Sequence, residues 1–387
     1  MNMTEIKSES RLSFTEATSI IIGHGVGSGI LAVPYLCSRN RWTDLLWIVP
    51  LVYGINLIMH FMIAELSRNN GGAQFIKCFE NELFTGKAGK FLTWFAFAMV
   101  GLSVLMNVSG FIAGSAAVFT AWFGLPEKAS VILYYVLAAS VVFIGMKAVG
   151  ICEKISVFAM VGVIGILFIA TLLSPVSPLP AKFISMNNVL ALYGMIAFSL
   201  SAVMSVPQVV KGLNGDPGKI RASIAAGTGI NVLLILLITF MTLLGAGSKI
   251  STNGALVDLS AHLGGWVSIV GYVFSLLALS TSFWANTLNL RDIINEQTGL
   301  NVHVSWLLAT LPCLLLTLFG VSSFVGFTRL AGIIQVLTGL AIIVAYARSR
   351  RRVGTCAVIG RLGTLPFQVL VMVSSILATV GSILTVR

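Results

Sequence analysis

The chain has 387 residues, of which 57% are hydrophobic and only 10% charged, with a mean hydropathy of +0.97; an ordinary soluble domain carries about 25% charged residues. That balance excludes a soluble globular protein. The net charge of +11 admits either nucleic acid or a membrane surface, and the placement of the charges along the chain decides between them.

Apolar runs near the ~20 residues that cross ~30 Å of hydrocarbon as a helix recur from Phe14 to the C-terminus. They predict spans at 14-37, 44-66, 90-123, 129-147, 151-173, 187-210, 222-246, 265-290, 304-320, 326-347 and 363-386. Backbone polar groups must be paired within lipid, and these runs are too long and too continuous for barrel strands, so helices are required. The expected fold class is an all-α polytopic membrane protein with about 11 transmembrane helices. The first thirteen residues are polar and the run after them has no small-residue cleavage site, so it is expected to be a retained span.

With the N-terminus in the cytoplasm, seventeen of the 24 Lys and Arg residues fall on the inner side and seven on the outer. This positive-inside bias predicts a cytoplasmic-membrane protein with its N-terminus inside and its C-terminus outside. The densest basic run, Arg348, Arg350, Arg351 and Arg352, is expected to be a cytoplasmic anchor beside the lipid bilayer. Nothing supports nucleic acid as a partner. Five cysteines are scattered without metal-like spacing and are expected to be packing residues.

The first span holds Gly23, Gly25, Gly27 and Gly29 followed by Val33-Pro34, and the sixth holds the small residues Ser199, Ser201 and Ala202 followed by Val206-Pro207. The two prolines are 173 residues apart. A shift by that amount lays spans one to five on spans six to ten, and because five is odd the second half enters the membrane from the other side. This predicts a single transporter domain: an inverted repeat of 14-174 and 187-347, with an additional helix at 363-386. Glycine costs ~1 kcal/mol and proline ~3 kcal/mol against alanine inside a helix, so both segments are expected to break. A break survives at membrane depth only where it lies within protein or lines a cavity. There it exposes carbonyls that suit a cation and a half-helix N-terminus that suits a carboxylate. A zwitterion fits both.

The run from Gly23 through His24 and Gly29 to Pro34 resembles the first-helix signature of the amino acid/auxin permease family, most closely its bacterial hydroxy and aromatic amino acid permeases. Asp216-Pro217, the stretch Ser280-Thr281-Ser282-Phe283, and Ala64-Glu65-Leu66 with Gly71-Gly72 are similar to the same family or to the wider amino acid-polyamine-organocation superfamily. The resemblance implies a LeuT-type 5+5 inverted repeat with substrate between broken helices 1 and 6. It also implies a sodium site of five oxygens: the carbonyls of Gly23, Val26 and Ala278 with the hydroxyls of Thr281 and Ser282. The last three are spaced i, i+3, i+4, which shares one helix face.

The substrate carboxylate is expected on backbone groups around Gly25, Gly27, Ser28 and Gly29, faced by Phe198, Ser199 and Ser201. Asn107, Trp284 and Asn286, polar or amphipathic groups at membrane depth, are expected to line the substrate pocket. His24, inside the first break, is read either as a proton site or as a partner for a freed carbonyl. His60 is expected to be a packing histidine, and Glu65, Asp292 and Lys154 to lie near cytoplasmic helix ends, where they snorkel or pair as an inner gate. No covalent cofactor is expected; the coupling ion is sodium, with a proton as the alternative, and the oligomeric state is left open. The predicted function is cation-coupled amino acid symport by alternating access. A channel, an intramembrane enzyme and a transporter of another small organic solute are the alternatives. No His-Glu-x-x-His or Gly-x-Ser-x-Gly motif supports an enzyme. One cation crossing 100 mV releases ~2.3 kcal/mol, and at ~1.4 kcal/mol per decade that drives roughly 40-fold accumulation of a neutral solute.

Overall fold

A computed structural model describes residues 11–26, 29–247, 250, 255–320, 324–354 and 357–384. In chain order the helices are α1 (Phe14–Gly25), α2 (Gly29–Ser38), α3 (Leu45–Asn69), α4 (Phe75–Glu82), α5 (Gly89–Phe123), α6 (Glu127–Ile144) and α7 (Met146–Leu172). They continue as α8 (Met186–Ser199), α9 (Val206–Gly212), α10 (Pro217–Ala246), α11 (Ala255–Leu263), α12 (Trp266–Thr298), α13 (Val302–Leu318), α14 (Phe324–Val353) and α15 (Leu365–Ile383).

Every predicted span falls on a helix or a broken pair. Among the described residues, eight helices are long and apolar enough to cross a membrane, or nine when the bent pair α1 and α2 counts as one span. The count of eleven is reached only by adding α13, which is 17 residues long, and α14. The tenth predicted span lies within α14, and the arginines at the end of that helix fall beyond residue 347. Moving the first half along by 173 residues lays α1 and α2 on α8 and α9, α3 on α10, α5 on α12 and α6 on α13. It also lays α7 on α14, and in each half a short helix, α4 or α11, sits between the second and third members.

Local chemistry sets the boundaries that position the site. Ser13 caps α1 in a capping box with Glu16: Glu16 N donates to Ser13 Oγ at 3.3 Å and Ser13 N donates to Glu16 Oε2 at 2.8 Å. Asp216 caps α10 by accepting from Gly218 N and Lys219 N, with Pro217 in the first turn. Only Gly145 separates α6 from α7, and its φ of +124° suits a residue without a Cβ. It therefore starts α7 at Met146, five residues before the predicted 151.

α1 packs against α7, α10 and α12, and α2 against α8 and α10. The helices that flank this break, bent by 51° to one another, are thus packed within protein. The apolar residues left outward on α6, α7 and α15, such as Ile144, Phe158, Leu172 and Val369, form the surface that a hydrocarbon solvent accommodates.

Candidate functional site

The two breaks meet. α1 ends at Gly25 and α2 begins at Gly29, while α8 ends at Ser199 and is followed by Leu200, Ser201 and Ala202 and a 3-10 turn over Val203–Ser205. Ser205 Oγ and His24 Nδ1 are 3.0 Å apart, which joins the first break to the second. His60, on α3, accepts the backbone N–H of Ala202 at 3.0 Å. It therefore holds a backbone group freed by the second break, a role more specific than packing. His24 likewise pairs with a hydroxyl rather than with a freed carbonyl.

Gly25 and Gly29 are sites of close approach. A methyl group on Gly25 would collide with the Asn231 amide and come within 3.2 Å of the Ser199 carbonyl oxygen. On Gly29 it would lie 2.7 Å from Ser199 Oγ and 2.8 Å from the Phe198 ring. Asn231, on α10, donates to the carbonyl of Ile21 at 3.3 Å, and its Oδ1 is buried without a partner. The structure thus gathers Gly25, Gly29, Phe198 and Ser199 around the breaks, while Gly27 and Ser28 lie outside the described residues. Ser199 Oγ donates to Met195 O on its own helix at 2.8 Å, and Ser201 N donates to Phe198 O at 3.1 Å.

A second group of oxygens lies where α1 touches α12. Thr281 Oγ1 is 3.0 Å from the carbonyl of Gly23 and 3.0 Å from that of Ala278. Ser282 Oγ is buried without a partner, and Val26 is buried at the end of α1. Into the same place projects Glu153 of α7, absent from the sequence-derived set. It is fully buried, and neither carboxyl oxygen has a hydrogen-bond partner. A methyl group on Gly23 would overlap its Oε2 and lie 2.8 Å from its Cδ and 2.9 Å from Thr281 Cβ. The predicted fifth span started at 151 and so put Glu153 at a helix end. With α7 starting at Met146, Glu153 lies about 10 Å inside the helix at 1.5 Å per residue. The available signal was Gly145 as a helix break.

Trp284 and Asn286 are buried on α12, but Trp284 Nε1 donates to Ala138 O of α6 at 3.0 Å and Asn286 Nδ2 donates to Ser282 O at 2.8 Å. Asn107 is buried on α5. Of the residues predicted to snorkel or pair near the cytoplasmic ends, Glu65 is buried, accepts from Val358 N at 2.6 Å and Ile359 N at 3.3 Å, and lies 3.6 Å from Arg68. Asp292 pairs with Arg291 at 2.8 Å and Lys211 at 3.5 Å. Lys154 takes part in none of the ion pairs among the described residues.

A family model described as the tryptophan/tyrosine permease family matches residues 10–381. Among solved structures, MHP1, a nucleobase-cation-symport-1 family transporter in a closed conformation with bromovinylhydantoin bound, aligns with a TM-score of 0.67 at 13% identity. That match covers 96% of this chain and 91% of MHP1. MhsT in complex with L-phenylalanine aligns with a TM-score of 0.69 at 14% identity, covering 96% of this chain and 99% of MhsT. These likenesses show the fold, which is of the LeuT type. No curated protein matches the chain.

Proposed function

The chain belongs to the tryptophan/tyrosine permease family, a family of transporters and not of enzymes, and on that premise we propose that it is a cation-coupled symporter of an aromatic amino acid. The observation that carries the reading is the meeting of the two helix breaks, with Gly25 and Gly29 held against Ser199 and the Phe198 ring. In this reading the amides around Gly25, Gly27, Ser28 and Gly29 receive the substrate carboxylate at the N-terminal end of α2, where the helix dipole favours negative charge. Phe198, half exposed beside Gly29, offers its ring to the aromatic side chain. Ser201, Asn107 and Asn286 complete the polar lining, and Trp284 supports it from behind through α6.

The matching helices at a shift of 173 residues support an inverted repeat of 14-174 and 187-347 followed by 363-386. Alternating access then works by rocking one set of helices against the other around the joined breaks. The coupling cation sits between α1 and α12 on Gly23, Val26, Ala278, Thr281 and Ser282. Sodium and a proton are distinguished by experiment. Uptake of labelled tryptophan, tyrosine, phenylalanine and serine into proteoliposomes is measured under separate sodium and proton gradients. Saturable uptake of an aromatic member under one gradient is expected, with loss in Thr281→Ala. Loss in His24→Ala with Thr281→Ala unaffected would move coupling to the first break, and no uptake of any amino acid, with or without a gradient, would sink the reading.

A further inference from the structure

We propose that Glu153 is the charge-bearing ligand of the coupling cation, its carboxylate accepting one unit of positive charge in the space it shares with Gly23 and Thr281. The inference rests on the transporter reading above and adds to the five-oxygen set a group from a third helix, α7.

Several observations converge on this residue. Glu153 is fully buried and both of its carboxyl oxygens are without partners. None of the ion pairs among the described residues involves it, although Lys154 is its neighbour in sequence. An ionised carboxylate left bare in a low-dielectric interior is strongly disfavoured, and a structure that keeps one there supplies a counter-charge or a proton. The side chain is directed to the last turn of α1, where the helix ends in carbonyls and the dipole is negative. Gly23 is the point of contact, since any Cβ there would overlap the carboxyl group. At the same contact of α1 with α12 the Thr281 hydroxyl bridges the Gly23 and Ala278 carbonyls, and the neighbouring Ser282 Oγ is buried and unpartnered. A carboxylate, three carbonyls and two hydroxyls are all hard oxygen donors, the set that suits sodium or a proton and not a soft metal.

The arrangement also explains how coupling reaches the substrate. Glu153 belongs to α7, Gly23 to α1 and Thr281 to α12, so a cation held among them ties three helices together beside the break that holds the amino acid. Without the positive charge the bare carboxylate lies against the last turn of α1, the negative end of that helix dipole, which disfavours the packing of α7 on α1. Uptake of the cation relieves that repulsion, and the two ligands assist one another's binding through the same helix.

The test is charge movement per substrate in proteoliposomes, read by electrogenic current alongside labelled tryptophan uptake and tryptophan exchange without any gradient. In the unmodified protein the driving gradient, sodium or proton, identifies the cation. Glu153→Gln is expected to lose gradient-driven accumulation at least tenfold and to lose the substrate-induced current, while exchange continues. Glu153→Asp, which keeps the charge but shortens its reach, is expected to raise the half-saturating cation concentration several-fold. Glu153→Gln that accumulates substrate with undiminished current overturns the proposal. If that variant does not fold, an unchanged cation half-saturation in Glu153→Asp overturns it instead. Absence of exchange in the unmodified protein would count against the transporter reading rather than against Glu153.

Discussion

At the residue scale, the site is built from groups whose size is dictated by their neighbours. Gly23 touches the Glu153 carboxyl, Gly25 the Asn231 amide, and Gly29 the Ser199 hydroxyl and Phe198 ring. Overfilling such contacts costs about 1–3 kcal/mol and displaces the polar atoms that the site uses. Gly29→Ala is therefore expected to lower tryptophan transport at least tenfold while the purified protein remains monodisperse; transport within twofold of the parent would show that the contact is dispensable. Trp284 illustrates the opposite case. Its indole N–H is already engaged by Ala138 O, so it joins α12 to α6. Replacement by Phe is expected to lower stability by ~1 kcal/mol, the net worth of a hydrogen bond, seen in thermal unfolding, with the half-saturating substrate concentration unchanged within twofold. A tenfold change in that concentration would put the indole in the substrate pocket. That Gly25, Gly29 and Ser199 lie at the breaks was legible in the sequence because unusual composition at membrane depth is itself the signal. Glu153 was not, because its depth depends on where a helix starts.

At the scale of elements, the two breaks persist because other helices take up their freed backbone groups, as lipid would not. His60 on α3 receives Ala202 N–H. His60→Leu leaves that buried donor unpaired, which costs about 1–3 kcal/mol. The expected readout is faster hydrogen exchange at residues 200–205, and unchanged exchange there would refute the role. A similar anchor lies at the segment before α15: the Glu65 carboxylate accepts from Val358 N and Ile359 N. Glu65→Ala is expected to increase protease cleavage around 357–364, whereas identical digestion would show that the segment is held by other contacts. The helices themselves were readable from apolar length. Their starts were less so: the turn at Gly145 admits a new helix after a single residue, and no apolar pattern marks such a boundary between two hydrophobic runs.

At the scale of the whole molecule, the charge distribution argues for orientation. Lys182 and Lys219, both exposed, lie on opposite sides in the positive-inside reading. In intact cells a membrane-impermeant thiol reagent is expected to label Lys182→Cys and not Lys219→Cys; the reverse pattern would invert the topology. The cytoplasmic side of that topology also carries ion pairs between distant segments, Glu16 with Lys147 at 2.7 Å, Glu82 with Arg352, and Asp292 with Lys211 at 3.5 Å. Each has one exposed partner, so each is worth at most ~1 kcal/mol, small enough not to resist the helix rearrangement proposed above. Among these, Arg352 shows that part of the basic run taken as an anchor also joins α14 to α4. What the sequence determined by itself is the solvent, the helical class and the two broken segments, because apolar length, missing charge and clustered glycines act locally and need no knowledge of neighbours. Only the tertiary structure decided that Glu153 stands bare beside Gly23, that His60 serves the second break and that Trp284 faces another helix. Those are facts of distance between segments more than a hundred residues apart, set by the packing of α7, α3 and α6 on the interrupted helices.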